Sequence, residues 1–134
     1  DVWDRYLDVY GLDGVFPVVD TPIGKLAAVA SEEILYPEVA RCHAVRGANV
    51  FLHSSSEVGA ATLTPKQIAR RARALENLAF VVSANTARLV GMEIPLDSAN
   101  GGSDIIDYYG RQLIAASVGA SSSATRLPRV ERYG

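Results

Sequence analysis

One cysteine, one methionine and one tryptophan in 134 residues make this chain poor in the residues that most often mark a specialised class. A single cysteine, Cys42, forms no internal disulfide, so an intracellular, cytoplasmic setting is the default expectation. No apolar run approaches the roughly 20 residues of a membrane span, so a membrane partner is not expected. Nor does any stretch join a basic start to an apolar core as a secretory leader does. Charge of neither sign dominates: 13 Lys and Arg against 15 Asp and Glu leave a formal net charge of −2, with the basic residues scattered. That argues against a phosphate-binding face and against nucleic acid as a partner. The two histidines, His43 and His53, have no companions at metal-ligand spacing, so no metal site is expected. Gly101 and Gly102 lack the Gly-x-Gly-x-x-Gly pattern, and no cofactor is expected. The only methionine is Met92 and the first residue is Asp1. With its aromatic opening DVWDRYLDVYG, which has neither helix nor strand period, the chain reads as cut from something longer, by processing or as an incomplete piece.

What is present is an ordinary globular composition, 49% hydrophobic and 21% charged, in a length that allows one domain with a real core. The β-branched run at 15–20 (VFPVVD) predicts a strand, and Thr21-Pro22-Ile23-Gly24 a turn. A second strand is expected over 25–30, apolar enough to be buried on both faces. Pro37 suits the first turn of a helix running to about Arg46, with Gly47 as its left-handed cap. A third strand follows at 49–53, then the loop Ser54-Ser55-Ser56-Glu57. Thr64-Pro65 is a strong helix start, and Ile68, Ala72, Leu75 and Leu78 recur at helical spacing as the expected buried stripe, leaving Arg70, Arg71 and Arg73 largely outside it. A fourth strand is expected at 79–84, a loop at 88–102, and a hairpin around Tyr109-Gly110 from strands at 103–107 and 112–117. Strands alternating with two helices make an α/β chain with helices covering a sheet. Residues 1–120 form the domain part, and the Ser-rich, then basic stretch 121–134 reads as a flexible or docking tail.

Three blocks, in order and at matching spacing, carry a resemblance: TPIGKLAAVASEEILYPEVARCHAVRGANVFLHSSSE, RARALENLAFVVSAN and GGSDIIDYYGRQL. Together, from Thr21 to Leu113, they resemble the later half of the nitrilase superfamily, the carbon–nitrogen hydrolases. The resemblance implies half of a four-layer α-β-β-α sandwich, with helices packed on one face of a mixed sheet. It implies hydrolysis of a small-molecule amide, carbamoyl group or nitrile through an acyl-enzyme, and no cofactor. The family's chemistry uses a cysteine nucleophile, a glutamate base and an oxyanion-stabilising lysine. The base and lysine would precede Asp1, and the cysteine's place, between a strand and a Pro-Glu helix, is held by Ser31. The chain alone is therefore expected to be incomplete and inactive. The other reading is a non-catalytic binding or assembly protein that kept the fold. A half-sandwich leaves an apolar face, so self-association as a homo-oligomer, or a missing N-terminal segment, is expected to cover it.

Ser31 is the candidate catalytic residue, since a side chain at a strand end lies near backbone N–H groups able to bind an oxyanion. Three readings of it stand: a serine nucleophile, a lost nucleophile in a surviving pocket, or a small residue filling a tight turn. A hydroxyl needs a strong adjacent base that a thiol does not. Glu33, Tyr36, His53 and Ser54 are candidates for the pocket or its rim. Glu33 is equally readable as a turn-orienting or solvent-exposed acid, and His53 as a satisfied structural histidine. Glu38 with Arg41, and Arg73 with Glu76, are spaced to pair on helix faces and read as structural. Cys42, inside the first helix, is expected to be buried or half-buried and inert.

Overall fold

The computed structural model describes residues 1–60, 62–87, 91, 93, 99 and 101–116. The expected tail at 121–134, and much of the loop at 88–102, lie outside them.

Six strands form one mixed sheet in chain order: β1 (Val19–Thr21), β2 (Gly24–Ala28), β3 (Val50–Ser55), β4 (Phe80–Asn85), β5 (Asp104–Ile106) and β6 (Gln112–Ala115). The central β2, β3 and β4 are parallel; β1, β5 and β6 join antiparallel. Parallel neighbours need crossovers, and helices α2 (Pro37–Val45) and α3 (Pro65–Asn77) supply them. Each starts on a proline at its first turn, where the missing N–H is no loss. Thr64 caps α3 in a reciprocal box with Gln67, satisfying two free donors. The β5–β6 turn is held by the Asp107 carboxylate, which accepts from the backbone N–H groups of Tyr109 and Arg111, both at 2.9 Å. Gly110 takes φ 75° there, and a β-carbon would stand 3.0 Å from the Arg71 carbonyl oxygen, so the position needs glycine twice over.

The register sorts the sheet into two faces. Ala27, Phe51, Val81 and Ile106 pair across four strands and are buried under the helices with Val29, Ile34, Ala40, Ala69 and Ala74. The alternate row Ala28, Leu52, Val82 and Ile105 lies on the opposite face, where Leu52 is 41% exposed. Strand β2 is thus buried on one face, not on both.

Two further expectations are corrected. The strand expected at 15–20 is shorter and later: residues Val2–Val15 form helix α1, interrupted where Gly11 takes φ 63°, and β1 covers only Val19–Thr21. The reason lies outside a period argument, because α1 has no buried residue and so no apolar stripe to read. It is opened by an Asp1–Asp4 capping box and tethered at its end by Arg46, which bonds the Phe16 carbonyl at 2.8 Å and pairs with Asp13. The second correction is the face of α3. Ile68, Leu75 and Leu78 are 56%, 53% and 72% exposed, while Lys66, Ala69, Arg70, Arg73 and Ala74 face inward. No helix among the described residues is long and apolar enough to cross a membrane.

Candidate functional site

Strand β2 ends at Ala28, and after Val29 and Ala30 the chain turns into one 3-10 turn, Ser31–Leu35, that leads into α2. Ser31 sits at this turn with φ 44°, a left-handed backbone that few non-glycine residues adopt. Such strain persists only where the surroundings hold it, and it concentrates at functional positions. Glu33 bends back to accept the Ala30 N–H at 2.7 Å, so its carboxylate orients the turn. Glu33 is exposed as well, so the turn-orienting and the solvent-exposed readings both describe it.

The Ser31 side chain belongs to a closed polar triangle. Its hydroxyl donates to Glu32 Oε2 at 2.5 Å and accepts from Lys66 Nζ at 3.1 Å. Lys66 also pairs with Glu32 Oε1 at 2.6 Å and donates to Ser55 Oγ at 3.3 Å. All three ammonium protons therefore have acceptors within the chain. The Lys66 bond, and then the Ser31 hydroxyl, hold the Glu32 carboxyl down from 4.5 to about 2. Because that value lies below the unfolded one, its stabilising contribution is present above about pH 4.5 and fades as the pH falls through about 2. Lys66→Met is expected to return the Glu32 midpoint toward 4.5, read from the side-chain carboxyl carbon by NMR. A wild-type midpoint already near 4.5 would show that the triangle does not form.

Beneath the turn lies His53, 1% exposed on the covered face of β3. Its Nε2 is 3.1 Å from the Ser31 carbonyl oxygen and its Nδ1 is 2.9 Å from Ser83 Oγ. Burial, reinforced by the charges of Arg70 and Lys66, pushes the imidazole below its usual range, against the Ser31 carbonyl and Glu57. Ser83 in turn accepts from Nη1 of Arg70, which is completely buried and lies 3.5 Å from Asp104. Burial pushes the Asp104 carboxyl up despite that guanidinium.

The other sequence candidates lie apart from this cluster. Tyr36 is 59% exposed, and Ser54 points to the open side of β3. Glu38 has no ion pair among the described residues; Arg41 instead reaches across to the Glu76 carbonyl at 2.8 Å, tying α2 to α3. Arg73 and Glu76 do pair, at 2.5 Å. Cys42 is half-buried in α2. Among the described residues no group of His, Cys, Asp and Glu is placed to hold a metal.

Sequence reading missed Lys66, Arg70 and Asp104. A signal existed for the first two. Lys66, Arg70, Arg73 and Asn77 follow helical spacing and define a second, polar face of α3. A lysine in a first turn also opposes the helix dipole, which asks for a nearby carboxylate.

A cleft of about 320 Å³ adjoins the triangle, lined among others by Glu32, Leu35, Glu57, Thr64 and Lys66. It opens at the C-terminal ends of the parallel strands, the usual ligand position in α/β sheets.

Known proteins share this fold. The family model for carbon-nitrogen hydrolase matches residues 3–126. The nitrilase and fragile histidine triad fusion protein NitFhit of Caenorhabditis elegans is 31% identical over 96 residues, which is 72% of this chain and 21% of that protein. The crystal structure of C. elegans NitFhit superposes with a TM-score of 0.68 and 30% identity, over 78% of this chain and 25% of that one. An amidase from Nesterenkonia sp. AN1, in a form showing Michael addition of acrylamide at its active-site cysteine, gives 0.67 and 26% identity, over 78% and 39%. The chain thus spans about a fifth of the curated relative's length and well under half of these solved ones.

Proposed function

Because this chain belongs to the carbon–nitrogen hydrolase family, we propose that it is the nucleophile-bearing later half of such a fold, with Ser31 at the nucleophile's place and no turnover by this chain alone. The observation that carries the reading is the closed Ser31–Glu32–Lys66 triangle. A serine hydroxyl attacks a carbonyl only if a base removes its proton. The group that accepts the Ser31 hydrogen bond is a carboxylate whose conjugate acid titrates at about 2, far too weak a base for a hydroxyl. Lys66, the other neighbour, is engaged as a donor to three oxygens and offers no lone pair. The amidase relative uses an active-site cysteine, and Cys42 lies on α2 away from the cleft. A base and an oxyanion-binding lysine would have to come from polypeptide upstream of Asp1.

The substrate class this implies is a small amide, carbamoyl compound or nitrile, seated in the cleft beside Glu32 and Lys66. The same triangle favours one second reading, a binding or assembly protein that kept the fold, because the Ser31 hydroxyl and the Lys66 ammonium are already engaged within the chain.

Incubation with a panel of primary amides and nitriles, followed by ammonia detection and peptide mass spectrometry, tests this. The expected result is no ammonia above the blank and no acyl mass on the Ser31 peptide. Acylation of Ser31 in the chain alone overturns the proposal. Acylation only when an upstream segment with a glutamate and a lysine is supplied supports the hydrolase over the assembly reading; none in either sample supports the reverse.

A further inference from the structure

The covered face of the sheet carries a polar row where an apolar core is expected. His53, Ser83 and Asp104 are cross-strand partners on β3, β4 and β5, side by side in register. All three are at least 95% buried, and Arg70 of α3 lies over the row with no exposure at all. Buried polar groups are costly unless they are bonded, so a row of three beneath a buried arginine calls for a reason.

The donors and acceptors fix one direction along it. The Ser31 carbonyl only accepts, so the His53 Nε2 facing it at 3.1 Å carries the ring proton. Nδ1 is then a lone pair and accepts from the Ser83 hydroxyl at 2.9 Å. With its proton committed, Ser83 Oγ is left as an acceptor, and Arg70, which only donates, fills that place. The chain of bonds runs Arg70 to Ser83 to His53 to the carbonyl of Ser31. It ends on the residue whose backbone is left-handed at φ 44°.

We propose that His53 is a positioning residue: its Nε2–H holds the carbonyl of Ser31 and thereby the strained backbone of the nucleophile-position turn, while Arg70, acting through Ser83, fixes the ring. That residue 31 is the functional position rests on the reading above; the bonding itself does not. The opposite tautomer would set a ring lone pair against the carbonyl oxygen and release the turn. Residue 31 is therefore held by the core of the sheet from below, independently of the Lys66–Glu32 pair that holds its hydroxyl from the cleft side.

Nitrogen-15 NMR of the His53 ring, with the carbonyl carbon of Ser31 and exchange of the Glu33 amide as companions, is the test; that amide closes the turn onto the Ala30 carbonyl. In the wild type the ring proton is expected on Nε2. In Ser83→Ala, the Nδ1 signal should move toward that of an unbonded imine nitrogen and the Ser31 carbonyl signal should shift. Exchange of the Glu33 amide should rise about three- to tenfold, the equivalent of losing one hydrogen bond. Ser83→Thr, which keeps the hydroxyl, should restore all three. A wild-type ring proton on Nδ1 overturns the proposal with no variant needed, and so does an unmoved Ser31 carbonyl in a folded Ser83→Ala. None of these signals needs turnover, so a failed acylation assay and a failed positioning role remain separate results.

Discussion

Arg70→Met is expected to lower folding stability by about 3–5 kcal/mol near neutral pH, the range for breaking a buried ion pair from one side. Arg70 has no exposed surface, and its partner Asp104 is 5% exposed. The change leaves a carboxylate in the core without its cation, and Ser83 without the donor that orients it. The sign of the pH dependence follows from Asp104. Its carboxyl is already raised by burial, with Arg70 a partial offset. A carboxyl raised in the folded state contributes stability at low pH and loses it as the pH climbs through the folded value. Without Arg70 that value climbs further, so the penalty should be largest at about pH 7 and shrink by about pH 4, where Asp104 takes up a proton more readily. Urea unfolding at both pH values measures it. Replacing both partners, Arg70→Met with Asp104→Leu, should recover most of the loss. The pair is poorly satisfied, since Nε and Nη2 of Arg70 meet no acceptor among the described residues. A loss below about 1 kcal/mol, or one equal at both pH values, would contradict this account of the row.

Phe51→Ala should cost a similar amount, about 3–5 kcal/mol, whereas Leu52→Ala one residue along should cost under about 1. Phe51 is fully buried beneath the helices between Ala27 and Val81, and its removal leaves a cavity that rigid neighbours cannot close. Leu52 projects to the opposite face and already meets solvent over 41% of its surface. The urea midpoint of each variant, at unchanged slope, reads the difference. Comparable losses at both sites would mean that the second face is also covered in solution, by another copy or another segment, and would move the chain out of the half-sandwich description. The same pair thus tests whether these strands form a one-sided sheet.

Much of the fold is written locally. Thr64-Pro65, Tyr36-Pro37 and Asp107-Tyr108-Tyr109-Gly110 place two helix starts and a hairpin within a residue or two of where they occur. Each signal is satisfied by atoms within a few positions of itself. Helix α1 was illegible for the complementary reason: it buries nothing, so its sequence bears no stripe, and only its Asp1–Asp4 box announces it. Apolar spacing predicts the wrong face of α3, because it places apolar residues in the core. That helix lies over a polar row, so it turns Lys66, Arg70 and Arg73 inward with small Ala69 and Ala74 between them, and leaves Ile68 and Leu75 outside. Its arginines are spaced for this, but the spacing gains meaning only once His53, Ser83 and Asp104 are known to be neighbours.

By itself, then, the sequence determined the family, through three ordered blocks, and the starts of α2 and α3 and the β5–β6 hairpin, through caps and turns whose partners are near in the chain. Tertiary structure alone decided what surrounds Ser31. Lys66 is 35 residues away and His53 is 22, and no local pattern encodes a contact across such separations. Strand register and helix rotation create those contacts, and the cost of burying unpaired polar groups favours the arrangement that pairs His53 with Ser83 and the Ser31 carbonyl, and Lys66 with Ser31 and Glu32.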